Sequence, residues 1–251
     1  MTTPAHRTLD GKAALVIGGG GDIGSGIADA LASQGAHIVL SYLKDGESAA
    51  RVADQVRLHG VDATAVCSDA TVPADVDALF QAAVSRYGRL DIVVHVPGAV
   101  LKKPLSQVTD ADFERVVAQN LLSTFLTLRA AGTHLADQGR YIAISSTLAA
   151  ASPGPYGVYA ATKAAVEVMV RGAASEWAHR GITANSIAPG PIDNDFFRAP
   201  ETAESIAGAA HMSPHGRLGT AADIAPVAAF LASPAAAWVS GQTVRVNGAM
   251  L

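Results

Sequence analysis

Short apolar runs alternate with helix-patterned stretches along nearly the whole chain, and this alternation limits the folds open to it. Candidate strands lie at 13–17, 37–41, 63–67, 92–96, 141–144, 183–187 and 243–246. They are apolar throughout rather than alternating, as strands covered on both faces are. Candidate helices lie between them at 24–34, 46–59, 74–87, 111–135, 158–179 and 221–232. Repeated strand–helix alternation predicts an α/β fold: a doubly wound parallel sheet (a Rossmann fold) of about seven strands, with helices on both faces. No Pro/Gly/Ser-rich linker interrupts it, so residues 1–251 read as one domain. The segment 193–216 is polar and weakly patterned. It should lie beyond the carboxyl end of a strand, where ligands bind in such folds, and is expected to be a substrate loop with some helix of its own.

Bulk properties narrow the function classes. A net charge of -4 gives no electrostatic case for nucleic acid or an anionic membrane as a partner. No run approaches the ~18 apolar residues of a membrane span. The N-terminal stretch 1–10 is polar, without the apolar core of a secretion signal. The only cysteine, Cys67, precludes an internal disulfide and sits in an apolar run, so it reads as a buried structural thiol. A cytoplasmic location is expected.

The first strand runs into Gly18-Gly19-Gly20-Gly21-Asp22-Ile23-Gly24, and a helix follows. Glycines let backbone amides approach a pyrophosphate, and the helix start supplies partial positive charge. A carboxylate at the end of the second strand would hold an unmodified adenosine ribose. The chain has Ser41, Tyr42 and Lys44 there instead, with no acid before Asp45. That favours a phosphorylated ribose and hence NADP(H), with NAD(H) the lesser alternative.

Tyr159 and Lys163 are four apart in a helical run and share a face. A fixed ammonium beside a phenol favours the phenolate and makes the tyrosine a usable acid/base. Ser146, after the fifth strand, could hold a carbonyl oxygen as it gains charge. Tyr156 has no lysine four residues on and reads as a pocket residue.

Taken together, these residues resemble the short-chain dehydrogenase/reductase family in its compact form, particularly 3-oxoacyl-[acyl-carrier-protein] reductase-like enzymes, over roughly residues 9–248. The resemblance implies Ser146, Tyr159 and Lys163 as catalytic residues, with Asn120 holding a water in the proton relay. It implies cofactor contacts at Gly18, Gly20, Gly21, Asp22, Ile23, Gly24, Ser41, Tyr42 and Lys44. It adds Ser68, Asp69 and Ala70 near the adenine, and Val96, Pro97 and Gly98 after strand four. Pro189, Gly190, Ile192 and Asn194 belong beside the nicotinamide, where Tyr159 and Lys163 also contact the cofactor. Homo-oligomers, tetramers or dimers, are implied too, pairing long helices and last strands.

The chain departs from the family pattern in three places. Asp22 replaces a glycine and puts a carboxylate near the pyrophosphate. His95-Val96-Pro97-Gly98 stands where Asn-Asn-Ala-Gly is usual, and His95 reads as a satisfied buried histidine. Asn194 takes the place of a threonine. The expected activity is hydride transfer between NADP(H) and a ketone or secondary alcohol, such as a 3-oxoacyl thioester, a cyclic ketone or a polyketide-like aromatic. A redox-silent dinucleotide-binding regulator is the alternative; the intact Ser146, Tyr159, Lys163 and Asn120 set argues against it. Epimerase-like relatives usually carry a further C-terminal domain, for which a chain ending at Leu251 leaves no room. His211 and His215 flank Pro214 and make a poor metal pair, so no metal is expected.

Overall fold

The computed structural model describes residues 7–151 and 154–251; the first six residues of the polar N-terminal stretch lie outside it. In chain order the elements are β1 (Ala13–Ile17), α1 (Asp22–Ser33), β2 (His37–Tyr42), α2 (Gly46–Arg57), β3 (Ala63–Cys67), α3 (Pro73–Tyr87) and β4 (Ile92–His95). Then come α4 (Asp110–Val117), α5 (Ser123–His134), β5 (Arg140–Ile144), α6 (Leu148–Ala151), α7 (Gly157–Trp177) and β6 (Thr183–Pro189). The chain closes with α8 (Asp195–Arg198), α9 (Ala203–Met212), α10 (Ala221–Ala232) and β7 (Thr243–Val246).

Among the described residues, seven strands form one sheet in the order β3-β2-β1-β4-β5-β6-β7. Every pairing is parallel. The order reverses between β1 and β4, and at such a switch point the loops diverge and leave a crevice. One core packs Ile27 and Leu31 of α1, Val56 of α2 and Leu231 of α10 against Ile38, Leu40 and Val94. The opposite core packs Leu79 and Phe80 of α3, Leu126 of α5 and Val166 and Val170 of α7 against Leu15, Val93 and Tyr141. Both faces of the sheet are therefore covered, which is why the strands read as continuous apolar runs.

Three features differ from the sequence expectations. Helix α1 starts at Asp22, which occupies its first turn. The single helix expected at 111–135 is divided: α4 runs into a π-helical turn at Ala118–Leu122 before α5 begins. Cys67 is exposed, not buried. It ends β3, the edge strand, where no neighbouring strand covers it, and its Sγ lies 3.7 Å from the Leu43 carbonyl oxygen.

Candidate active site

A cavity of about 570 Å³ opens at the carboxyl end of the sheet. The glycine turn borders one end. Gly18 adopts φ +76°, a left-handed conformation that favours glycine, and a Cβ on Gly24 would lie 2.2 Å from the Gly18 carbonyl oxygen. The two segments thus touch backbone to backbone. Asp22 lines the cavity, and its Oδ2 accepts a 3.4 Å hydrogen bond from Asn194 Nδ2. Asn194 also caps α8, its Oδ1 accepting from the Phe197 amide at 3.0 Å.

Ser146, Tyr159 and Lys163 line the middle of the same cavity. Ser146 follows β5, while Tyr159 and Lys163 lie one turn apart on α7, the longest helix described. Lys163 is 3% exposed, and its ammonium donates to the Ile144 carbonyl oxygen at 2.8 Å. Burial lowers its pKa to about 8. Tyr159 is 5% exposed, and burial pushes its phenol up to about 12, opposed by a hydrogen bond with Ser146. The sequence predicts a phenol softened by the lysine; in the structure burial is the stronger effect.

Asn120 is completely buried behind this group. Its Oδ1 accepts from the Ala99 amide at 2.6 Å, and its Nδ2 donates to the Ala99 carbonyl and to Thr162 Oγ1. The π-turn widens the helix where Asn120 stands. His95, the last residue of β4, is buried and neutral. Ser123 Oγ lies 3.2 Å from its Nε2 and Thr127 Oγ1 3.2 Å from its Nδ1. Burial, with the nearby Lys163 charge, lowers its pKa to about 3.

Other predicted contacts separate into two groups. Val96, Pro97, Gly98, Pro189, Gly190 and Ile192 line the cavity with Gly18, Gly21, Ile23 and Gly24. Gly20, in the β1–α1 turn, and Ser41, Tyr42, Lys44, Ser68, Asp69 and Ala70 do not; the last six follow or end β2 and β3 at their carboxyl ends. Ser41 is buried, and its hydroxyl accepts from the Gly18 amide at 3.2 Å, so it braces the glycine turn from below. Asp69 Oδ1 is taken by the Thr71 amide and hydroxyl. Tyr42 is half-buried at that end and Lys44 is exposed.

The same cavity holds a charged cluster with no sequence signature beyond Tyr156, already read as a pocket residue. Glu201, its side chain 3% exposed, pairs with Lys102 Nζ at 2.6 Å and also accepts from the Tyr156 hydroxyl and Ser205 Oγ. Burial alone would raise its carboxyl, but these donors outweigh it and hold the pKa below the usual carboxylate range. Lys102 and Glu201 come from unrelated segments, and no local pattern marks them as partners. His211 folds back onto the Ala207 carbonyl within α9, and His215 lies beyond that helix.

A family model described as enoyl-(acyl carrier protein) reductase, one of the short-chain dehydrogenase/reductases, matches residues 20–250. The chain belongs to the short-chain dehydrogenase/reductase family. Among relatives of this dehydrogenase/reductase is the hydroxynaphthalene reductase-like protein Arp2 of Metarhizium brunneum, 39% identical, the match covering 96% of each chain. The versicolorin reductase stcU of Emericella nidulans is 37% identical, over 99% of this chain and 98% of the relative. A Burkholderia cenocepacia short-chain dehydrogenase solved in complex with NADP superposes with a TM-score of 0.92 at 31% identity, covering 97% of this chain and 99% of that one. Among the described residues of this dehydrogenase/reductase, no helix is long and apolar enough to cross a membrane.

Proposed function

We propose that this chain is an NADP(H)-dependent carbonyl reductase acting on a ketone within a cyclic, polyketide-like aromatic framework. The observation that carries this reading is the convergence of Ser146, Tyr159 and Lys163 on one cavity bordered by a glycine turn at a helix start. The cradle fits a dinucleotide: Gly18 holds a left-handed φ, Gly24 leaves no room for a Cβ, and α1 begins directly after the turn. Gly18, Gly20, Gly21, Ile23 and Gly24 would hold the pyrophosphate, and Tyr42 and Lys44 the adenosine phosphate. Ser68, Asp69 and Ala70 would border the adenine. Val96 to Gly98, Pro189, Gly190, Ile192 and Asn194 would border the nicotinamide. Bound NADPH would supply the hydride.

The chain's own residues manage the proton. Tyr159 gives its hydroxyl hydrogen to the carbonyl oxygen as that oxygen becomes an alcohol. Ser146 donates a hydrogen bond to the same oxygen while charge develops. Lys163, held on the Ile144 carbonyl, steadies the resulting phenolate. Asn120 keeps the 98–99 backbone and Thr162 in place behind the lysine and would hold the relay water.

The aromatic reading is favoured over a 3-oxoacyl thioester by the named activities of the relatives. An apolar cavity wall of Val100, Leu148, Phe196, Phe197 and Met212 also supports it. The test is NADPH oxidation with 2-tetralone and with a 3-oxoacyl thioester, with NADH in parallel. Turnover of the tetralone with NADPH is expected; activity confined to the thioester, or to NADH, would refute the corresponding part.

A homo-oligomer, dimer or tetramer, is part of the same proposal, in a cytoplasmic setting. Phe113, Leu122, Phe125 and Val168 are exposed on α4, the π-turn, α5 and α7, and Trp238 is 99% exposed just before β7. Light scattering at a monomer mass would refute it.

A further inference from the structure

We propose that Lys102 and Tyr156, positioned by Glu201, form a second polar pole in the substrate cavity that recognises a ring hydroxyl remote from the carbonyl being reduced. The inference rests on the reductase reading and specifies its substrate class: a hydroxylated bicyclic or larger aromatic ketone.

The cavity wall is largely apolar, and away from Asp22 at the glycine turn it carries a second carboxylate, Glu201, its side chain 3% exposed. Burying an ion pair adds little to stability compared with apolar packing, so stability alone gives weak reason for the cluster. Its donor and acceptor count gives a stronger one. Lys102 has three N–H donors and spends one on Glu201 Oε2. Its side chain remains 26% exposed and lines the cavity. Tyr156 gives its only hydrogen to Glu201 Oε1, so its phenol oxygen keeps lone pairs and can only accept. The two groups are adjacent, the ammonium 5.7 Å from the centre of the Tyr156 ring. Together they present a donor beside an acceptor. A hydroxyl, which accepts and donates at once, satisfies both; an ether, a carbonyl or a carboxylate satisfies only the lysine.

Glu201 acts through its neighbours. It takes up the Tyr156 hydrogen and holds Lys102 in place, and Ser205 Oγ supports the carboxylate from α9. Tyr156 ends the turn that leads into α7, three residues before Tyr159, so the pole and the acid/base share one short segment.

The test is calorimetric titration of the full chain saturated with NADP+, using 2-naphthol and a set of dihydroxynaphthalenes. The wild type is expected to bind at least one dihydroxynaphthalene about tenfold more tightly than 2-naphthol. Lys102→Met and Tyr156→Phe should each bring that ratio close to one, with 2-naphthol as the internal reference. Glu201→Gln should lower the ratio and Glu201→Asp restore part of it, which a purely structural role would not produce. A wild type without preference, including one that binds neither ring, overturns the proposal. So does equal weakening of both ligands in Lys102→Met, or an unchanged ratio in folded Lys102→Met and Tyr156→Phe. The titration needs no turnover. A chain that selects the hydroxylated ring but reduces no ketone keeps the pole and loses the reductase reading. A chain that reduces 2-tetralone without ring preference loses the pole alone.

Discussion

Lys163 and Ile144 are joined by a 2.8 Å hydrogen bond from the ammonium to a backbone carbonyl, so the buried cation is anchored to the end of β5 and not to an acid. Burial draws its ionisation down to about 8. The cation is present below that pH and is lost above it. The kcat/KM for ketone reduction should therefore stay level up to about pH 7 and fall as pH rises through about 8. Lys163→Met should be slow throughout and lack that inflexion. A wild-type profile level to about pH 10 would remove the lysine from the mechanism.

Tyr159→Phe keeps the ring in place and removes the transferable hydrogen. Turnover is expected to drop by about two to four orders of magnitude. NADPH affinity, read by fluorescence titration, should stay within about twofold. Full activity in this variant would mean another acid serves the carbonyl.

Much of this arrangement can be read before any coordinates. Each of the seven strands was visible because burial on both faces leaves a continuous apolar run. Ser146, Tyr159 and Lys163 were visible because two lie on one helix face and the third closes a strand. The π-turn at Ala118–Leu122 was not, since alanine, glutamine and leucine suit an α-helix equally well. Cys67 was misjudged because local apolarity does not tell an edge strand from a central one. The Lys102–Glu201 pair is purely tertiary.

His95 makes the fold sensitive to acid. Its folded pKa is about 3, against about 6.5 for an unperturbed histidine. Between those values the unfolded chain takes up a proton that the folded chain refuses, so stability falls as pH drops through that window. The slope is about 1.4 kcal/mol per pH unit for one such group. His95→Asn should flatten the dependence of Tm on pH between about 4 and 6. An identical slope in the variant would assign the acid sensitivity elsewhere.

Gly98 has no space for a side chain. An added Cβ would lie 2.9 Å from Asn120 Oδ1 and 3.1 Å from Lys163 Nζ. Both partners are pinned by hydrogen bonds and cannot simply step aside. Gly98→Ala should lower kcat by about tenfold to a hundredfold, because small misplacements near the reacting atoms are costly. Tm should fall by only a few degrees, about 1–3 kcal/mol of overpacking. Wild-type kcat in Gly98→Ala would show that this backbone segment is free to move.

Asp22 places a carboxylate at the helix start that the proposed pyrophosphate would face. Asp22→Gly is expected to tighten NADPH binding about fivefold, equivalent to about 1 kcal/mol of relieved repulsion, with the gain shrinking as salt is added. The same change removes a favourable charge from the first turn of α1 and should lower Tm slightly. Weaker NADPH binding in Asp22→Gly would mean that the contact with Asn194 matters more than the charge.

The widened turn at Ala118–Leu122 makes residue count itself part of the proposed catalytic apparatus. Each residue of an α-helix advances the azimuth by about 100°. Losing one codon there would let the ladder close into ordinary α geometry and swing Asn120 away from Ala99, although every functional side chain would still be encoded. An in-frame deletion in this stretch would thus behave like an active-site lesion, while many point substitutions on its outer surface would pass unnoticed.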